Sequence, residues 1–240
     1  MTPEETLNSE MRVQFPYREY KREQEVISRH KIYRTTAIYT TYTIIILVMA
    51  IRSGHVLQSL AIVPIGVFFW MMSEYLSHRY VFHHKFEVDD STPMKKFFTT
   101  IGAKYLVPMH TGHHERPFDG KHMSGRIRDL LPLFIIGVLL ATFVFPPFTL
   151  SVIVATWFQC YIAEEWIHHA THFYNFRDPY FRYMKKHHMY HHTKAGMKYG
   201  FGTTSGIIDY FLNSRYPEDI RKKLYGAKKA LAGSGGETQS

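Results

Sequence analysis

Four stretches of the chain combine high apolar content with a complete absence of charged side chains. They cover residues 35–51, 56–72, 130–145 and 148–163, and each has 16 or 17 residues. A helix of that length measures roughly 25 Å, slightly less than the roughly 30 Å hydrocarbon core of a bilayer. The pattern therefore predicts an all-α membrane protein with four transmembrane helices in two hairpins. Four buried core helices of a soluble protein are the alternative interpretation.

Basic residues lie almost entirely on one side of this arrangement. Of the 29 Lys and Arg residues, seven precede the first stretch, nine lie between the second and third, and twelve follow the fourth. The two hairpin turns hold a single one, Arg52. Because Lys and Arg concentrate in cytosolic loops, the N-terminus, the central loop and the C-terminus are all predicted to be cytosolic in this multi-pass orientation.

Composition changes this picture little. The mean hydropathy of −0.21 suggests a soluble protein, but it averages apolar stretches with charged loops. The net charge of +9 indicates contact with anionic headgroups rather than nucleic acid, because the basic residues flank apolar spans. The first 34 residues show no signal peptide; they are polar, with a mixed charged tract at residues 19–34, and are predicted to form a surface helix. Residues 233–240 are rich in Gly and Ser, which predicts a flexible tail.

Histidine is unusually frequent, with sixteen residues against a single cysteine, Cys160. One thiol excludes an intrachain disulfide and any metal site built from several thiolates. A metal site in this chain must therefore use imidazole and carboxylate ligands. Fourteen histidines lie between residues 78 and 192, all on the predicted cytosolic side, and four clusters contain all of these except His122.

Helical spacing predicts which histidines share a face. Side chains three or four residues apart lie close enough for two imidazoles to bind one metal ion or two neighbouring ions. Ten histidines are candidate ligands on this basis: His78, His83, His110, His113, His114, His168, His172, His188, His191 and His192. Ten imidazoles exceed the needs of one four-coordinate ion, so they indicate two metal ions with about five ligands each. The first two are five residues apart and need a helix end, a turn or a π-helical turn between them.

The same register separates adjacent histidines. His188 is three and four residues from the last two histidines of its cluster, whereas His187 is five residues from the second of them. We therefore favour His188 as a ligand and His187 as an outer residue. His168 is preferred to His169 on weaker grounds. His122 stands alone in a Gly-flanked segment and is predicted to be a solvated loop residue.

The position of the clusters bears on the chemistry. An all-imidazole site suits iron, zinc or copper. Zinc would indicate hydrolysis or a structural role, whereas iron would indicate dioxygen chemistry. His78 and His168 follow apolar stretches by six and five residues, which places the metals about 7–9 Å beyond the spans, at the level of the headgroups. A lipid in the bilayer could present carbons near its polar end to such a site.

The histidine pattern resembles that of the sterol desaturase and fatty acid hydroxylase superfamily of integral-membrane di-iron oxygenases. Within that superfamily, three segments are most similar to fatty acid 2-hydroxylases. They are residues 74–83 (EYLSHRYVFH), 113–120 (HHERPFDG) and 200–211 (GFGTTSGIIDYF). The resemblance extends from about residue 70 to 212. Two departures, the segment after Gly120 and a Glu164-Glu165 pair in place of Tyr-Asp, concern the substrate more than the metal site.

The resemblance implies a four-helix membrane base with a cytosolic, histidine-lined helical cap that holds two iron ions, with zinc in some purified material. It also implies O2-dependent hydroxylation of a fatty acyl chain, beside the carbonyl of a fatty acid or of the acyl group of a sphingolipid. The histidines would then be metal ligands rather than acid or base catalysts. Outer partners of their rings would come from Glu74, Asp119, Glu165, His169, His187 and Asp209, and from Glu164, for which ordinary interfacial charge is the simpler interpretation.

Electrons for such a reaction must come from another protein. The first 34 residues are too short for a haem domain, and no flavin or dinucleotide motif is present. A separate b-type cytochrome or ferredoxin with its reductase is therefore the predicted partner. Residues 1–34 are predicted to be a cytosolic interfacial segment, 35–212 a catalytic membrane domain and 213–240 a C-terminal tail. The cap comprises residues 73–129 and 164–212.

Two other functions stay open. A carotenoid, sterol or sphingoid-base hydroxylase or desaturase of the same superfamily would use the same histidines. A non-enzymatic zinc-binding or zinc-transporting membrane protein is the alternative from a different class. Transporters place polar ligands near the membrane midplane, whereas the four apolar stretches contain no histidine or carboxylate, which disfavours transport.

Overall fold

The computed structural model describes residues 3–123, 127–143 and 148–226, and the regular structure in these ranges is entirely helical, as predicted. The helices are α1 (Pro3–Arg52), α2 (Val56–Ser77), α3 (Pro93–Ile101), α4 (Val107–Glu115), α5 (Gly120–Met123), α6 (Ile127–Phe143), α7 (Thr149–Phe173), α8 (Pro179–His191), α9 (Ile207–Phe211) and α10 (Glu218–Tyr225). Two π-helical segments, π1 (His78–Phe82) and π2 (Gly102–Leu106), follow α2 and precede α4. The predicted flexible tail, residues 233–240, lies outside the described residues.

Helix α1 is longer than the sequence analysis predicts. It continues without a break through the predicted surface helix and the first apolar stretch, across residue 34. Buried residues recur along it at helical spacing: Ser28, Ile32, Thr35, Tyr39, Ile46 and Ala50. Helix α1 packs against α7 and α5. Its polar and apolar halves therefore share one buried face, which favours a single continuous helix over two.

Among the described residues, two helical segments are long and apolar enough to cross a membrane. They are Pro16–Arg52 of α1 and Val56–Phe82, which runs from α2 through π1, and their most apolar windows are only 22% and 17% buried. The core helix of a soluble protein is mostly buried, so this exposure indicates a membrane protein. The other two predicted spans are also helical where described, in the shorter apolar helix α6 and in the first part of α7.

Helix α7 is the centre of the fold and packs against α1, α2, α6 and α8. Its buried Phe158 and Tyr161 form a cluster with Tyr39 of α1 and Trp70 of α2. The Tyr39 and Phe158 rings lie 4.4 Å apart between centroids. Because α7 continues unbroken to Phe173, it connects this aromatic core to the histidines near its C-terminal end.

Gly120 permits a close approach of α5 to α1. A Cβ atom at this position would lie 2.1 Å from the backbone oxygen of Gln24. Gly120→Ala should therefore force the two helices apart and lower the free energy of unfolding by about 1–3 kcal/mol. Gly137→Ala in α6 is the control, because its Cβ would meet Val154 at an ordinary 3.5 Å. Denaturant unfolding in detergent measures both variants, and equal effects would contradict the close approach.

Candidate metal centre

The ten candidate ligands lie on four helical segments. π1 begins at His78 and is followed by His83, so the π-helix is the one of the three predicted solutions that this five-residue spacing adopts. Helix α4 holds the three candidate ligands of the second cluster, and α7 holds the two candidate ligands of the third. Helix α8 carries the fourth cluster and ends with His192 as its C-terminal cap.

The structure brings all ten of these side chains together, in two groups of five. The first group consists of His78, His83, His110, His114 and His191, and the second of His113, His168, His172, His188 and His192. Within each group, one nitrogen atom per residue lies within 4.8 Å of the others. Helices α4 and α8 supply histidines to both groups, so the two groups are neighbours.

The imidazoles approach one another through their Nε2 atoms. In the first group, His83 lies 3.0 Å from both His191 and His110. In the second group, His188 lies 2.8 Å from His172 and 3.0 Å from His192. Two nitrogen ligands at about 2.0–2.1 Å from one metal ion and at right angles to each other lie about 2.9 Å apart. The separations therefore fit nitrogens that share a metal ion.

Backbone carbonyls determine the proton position on two of the rings. Nδ1 of His78 lies 2.6 Å from the Phe201 oxygen, and Nδ1 of His191 lies 2.7 Å from the Tyr199 oxygen. A carbonyl only accepts, so both Nδ1 atoms donate and both Nε2 atoms present a lone pair to the first group. The Nε2 atom of His78 is buried without a hydrogen-bond partner among the described residues. A buried, unpaired acceptor of this kind fits a metal cation.

The site favours neutral imidazole. The pKa of His83 is lowered to about 4, and the pKa values of His114 and His192 are lowered to about 3, chiefly because the rings are buried. Burial followed by neighbouring histidines also holds the pKa of His113 and His188 well below 6.5. Only neutral imidazole has the lone pair that a metal needs. These rings are therefore in the ligand form at neutral pH.

Asp209 supports the first group through the backbone. It is fully buried and accepts hydrogen bonds from the backbone N–H groups of Phe201 and Gly202, each at 2.9 Å, and from the Ser214 hydroxyl at 2.7 Å. Burial raises the pKa of Asp209, but the nearby His187 ring and the hydrogen bonds from Ser214 and the backbone outweigh it and lower the pKa below 3.8. Asp209 thereby fixes the segment whose Phe201 carbonyl accepts from His78.

Glu74 holds the next part of the same segment. Its carboxylate accepts from the backbone N–H groups of Thr203 at 2.7 Å and Thr204 at 2.9 Å, and from both hydroxyls. The hydrogen bonds described for Glu74 and Asp209 thus go chiefly to this loop and not to the candidate ligands, which differs from the prediction of direct contact. Sequence reasoning missed the Phe201 and Tyr199 carbonyls because every residue has one; only the glycines beside Phe201 indicated a special backbone.

His187 and His169 lie outside both groups of five. His187 is buried, with Nδ1 2.9 Å from the Tyr225 hydroxyl and Nε2 3.8 Å from Asp209. His169 is fully buried and faces α1, with Nδ1 2.9 Å from the Ser28 hydroxyl. Neither ring contacts a candidate ligand through a described hydrogen bond.

Asp119 and His122 pair with each other. Asp119 Oδ2 lies 2.9 Å from His122 Nδ1 and 3.7 Å from Arg116. The prediction that His122 is a solvated loop residue was wrong, because it lies in α5, which packs against α1 and α4, and its side chain is only 32% exposed. Asp119 therefore orients a histidine outside the two groups.

A cavity opens beside the two groups, with its wall formed by residues of α2, π1, α4, α5 and α7 among others. Its wall includes five candidate ligands and His122. The apolar part of the wall includes Trp70, Phe82, Leu106, Met109 and Trp157. Glu74, Glu164 and the buried Glu165 add carboxyl groups, and the described lining contains no Lys or Arg. The cavity thus has an apolar wall directly beside the imidazoles.

Known proteins are similar to this chain in sequence over part of their length. The chain is 28% identical over 175 residues to the fatty acid 2-hydroxylase of Homo sapiens, covering 64% of this chain and 39% of that protein. It is 31% identical over 152 residues to the dihydroceramide fatty acyl 2-hydroxylase FAH2 of Arabidopsis thaliana, covering 62% of this chain and 57% of that protein. The chain thus spans about two fifths of the human relative and under three fifths of the plant one.

The fold has a solved counterpart. A structure of full-length scs7p, in which only the hydroxylase domain is visible, superposes with a TM-score of 0.59 at 20% identity, covering 78% of this chain and 67% of that one. The sequence profile of the fatty acid hydroxylase family matches residues 63–214, which include all ten candidate ligands. This chain belongs to the fatty acid hydroxylase family.

Proposed function

We propose that this chain is a membrane-bound dimetal hydroxylase that oxidises a lipid acyl chain at carbon 2, in a fatty acid or in the acyl group of a sphingolipid. One observation carries the proposal: two groups of five imidazoles border a cavity with an apolar wall at the ends of α2 and α7. Membership of the family supports hydroxylation. The relatives named as fatty acid and dihydroceramide fatty acyl 2-hydroxylases support the position and the substrate class.

The two groups of five histidines would each hold one metal ion, and the proposed metal is iron. Iron would supply the chemistry that converts a C–H bond, O2, two electrons and two protons into an alcohol and water. Zinc fits the same imidazoles but has no redox chemistry. The lone pair of His78 and the neutral rings around it provide the nitrogen donors that either metal requires.

The chain's own residues determine which carbon reacts. Trp70, Phe82, Leu106 and Met109 form an apolar wall that excludes water and holds an acyl chain beside the imidazoles. Rigid positioning of this kind decides which C–H bond is attacked. The loop held by Glu74 and Asp209 keeps His78 in place through the Phe201 carbonyl, so the alignment of the first group depends on that loop.

The proposed topology has four spans and a cytosolic cap. α1, α2, α6 and α7 would cross the bilayer within residues 35–212, with the cap formed by 73–129 and 164–212. The distribution of Lys and Arg supports this orientation, and α6 exposes Leu133 and Ile136 as a lipid-facing helix would. Residues 1–34 would lie at the cytosolic interface. A separate b-type cytochrome or ferredoxin with its reductase would deliver the electrons.

Iron-loaded and zinc-loaded protein, in the same bilayer with O2 and a reductant, should differ completely in activity. Iron-loaded protein should form a 2-hydroxy acyl product, whereas zinc-loaded protein should stay at background, because zinc cannot exchange electrons. Mass spectrometry of the extracted lipids measures the product. The zinc form is a matched control for folding, since it fills the same nitrogens.

Three results would contradict parts of the proposal. Equal turnover with zinc would exclude an oxygenase. Oxidation of a carotenoid, sterol or sphingoid base without any 2-hydroxy acyl product would assign a different substrate. Tight zinc binding with no oxidised lipid under any metal would indicate a non-enzymatic zinc protein.

A further inference from the structure

An open cleft lies next to the cavity and carries basic side chains. It is lined by Lys31 of α1, Lys104 and Tyr105 of π2, Met109 of α4, and Lys121 and His122 of α5. The described lining of this cleft contains no carboxylate. The described lining of the cavity at the imidazoles contains no Lys or Arg. The basic side chains near an anionic group of a ligand are therefore in the cleft, where they favour an anion.

The cleft and the cavity adjoin. Met109 and His122 line both spaces, and Met109 directly precedes His110 of the first histidine group. A molecule whose polar end lies in the cleft is therefore close enough to place its apolar part in the cavity. Such a molecule has a charged head and an attached hydrocarbon chain.

One of the basic side chains, Lys31, is held in place by α5. Lys31 Nζ donates to the backbone oxygens of Lys121 at 3.0 Å and Gly120 at 3.3 Å, which fixes its charge at the cleft. Asp119, the carboxylate of the same turn, accepts from His122 at 2.9 Å and from the backbone N–H of Lys121 at 2.9 Å. The Lys104 and Lys121 side chains are exposed.

In the proposed topology, the cleft lies at the level of the lipid headgroups. Lys31 lies four residues before the first apolar stretch, which is about 6 Å along the axis of α1. Lipid phosphates lie at this level, just outside the hydrocarbon core. Tyr105 is 68% exposed in the same cleft, and tyrosine is typical of the membrane interface.

We propose that this cleft binds the phosphate of an anionic lipid headgroup, so that the substrate is a phosphate-bearing lipid whose acyl chain enters the adjoining cavity. The inference rests on the proposed function for the identity of the reacting chain. Lysine ammonium groups bind phosphate as point charges. Free phosphate has the same chemistry, and the experiment separates it from the lipid.

The test compares binding of ceramide 1-phosphate and of unmodified ceramide to the full chain in neutral-lipid nanodiscs. Lys104→Gln and Lys121→Gln should each weaken binding of the phosphate lipid about fivefold, and the double variant about 25-fold, because each interfacial lysine contributes about that factor. Binding of unmodified ceramide should not change. Lys96→Gln, an exposed lysine on α3 outside the cleft, is the matched control and should bind like the unmodified chain.

The alternatives give different results. Equal affinity for the two ceramides, or an affinity for inorganic phosphate equal to that for the phosphate lipid, would overturn the headgroup site. The lysine variants could instead bind lipid normally while an acidic electron-donor protein reduces their metal ions more slowly. That result would make the cleft a protein-docking surface. Selective phosphate-lipid binding without hydroxylation of either lipid would support the cleft and contradict the proposed reaction, because binding is measured without turnover.

Discussion

Replacing His188 with alanine should abolish hydroxylation and remove the metal from the second histidine group. His188 is buried, and its Nε2 atom lies within 3.0 Å of the corresponding atoms of His172 and His192. Loss of an outer partner of a metal ligand already lowers affinity or activity by about 10–100-fold, so loss of a direct ligand should exceed about 100-fold. Elemental analysis of purified protein and lipid product analysis measure the two effects.

The adjacent histidine provides the control. His187 is buried too, but its ring contacts Tyr225 and Asp209 instead of the candidate ligands. His187→Asn keeps a nitrogen near the position of Nδ1, and it should retain both metal ions and most of the activity. His187→Ala should lower stability more than metal content. Full metal occupancy in His188→Ala, with metal loss in the His187 variants, would show that the register is wrong.

Asp209→Asn should selectively weaken the first histidine group. The amide would place an N–H group against one of the donors that the carboxylate now accepts, Phe201 N–H, Gly202 N–H or the Ser214 hydroxyl. The segment should shift, and the Phe201 carbonyl should lose its contact with His78. We expect metal affinity at the first group to fall about 10–100-fold, and a metal titration should show one weakened site of two.

Asp219→Asn, an exposed change on α10, is the matched control and should leave both sites intact. A purely structural role for Asp209 would lower stability without separating the two metal sites, and equal weakening of both sites would contradict the proposed path through Phe201. The pKa of Asp209 is lowered, so its stabilising contribution is complete above the unfolded value near 3.8 and declines as the pH falls toward the lower folded value. The variant comparison belongs at neutral pH, where that contribution is full.

The composition of the site was predictable because it depends on spacing along single helices. Histidines three and four residues apart on α4, α7 and α8 have to share a face. The five-residue interval between His78 and His83 required an irregular turn, and a π-helix supplies it. Likewise, the charge-free stretches had to be helical if they enter a bilayer.

The division of the ten histidines into two groups depended on tertiary structure. His113 and His114 are adjacent in sequence yet belong to different groups, because consecutive residues of a helix point about 100° apart. The sequence carries no signal for which helix faces each of them. The same holds for the Phe201 and Tyr199 carbonyls, since a backbone acceptor has no residue type, and for His122, whose surroundings come from α1 and α4.

The unbroken course of α7 fixes the distance between the aromatic core and the candidate ligands. Between Phe158 in the aromatic core and His172, α7 has no break, so in the proposed orientation the height of the candidate ligands above the bilayer centre follows from the helix rise. The reacting carbon would then be selected by its distance from the headgroup end of the lipid. Its distance from the far end of the acyl chain would play no part. Such an enzyme would accept acyl chains of different length. Its activity would instead depend on bilayer thickness, because a change in thickness changes the tilt or the depth of α7 in the membrane.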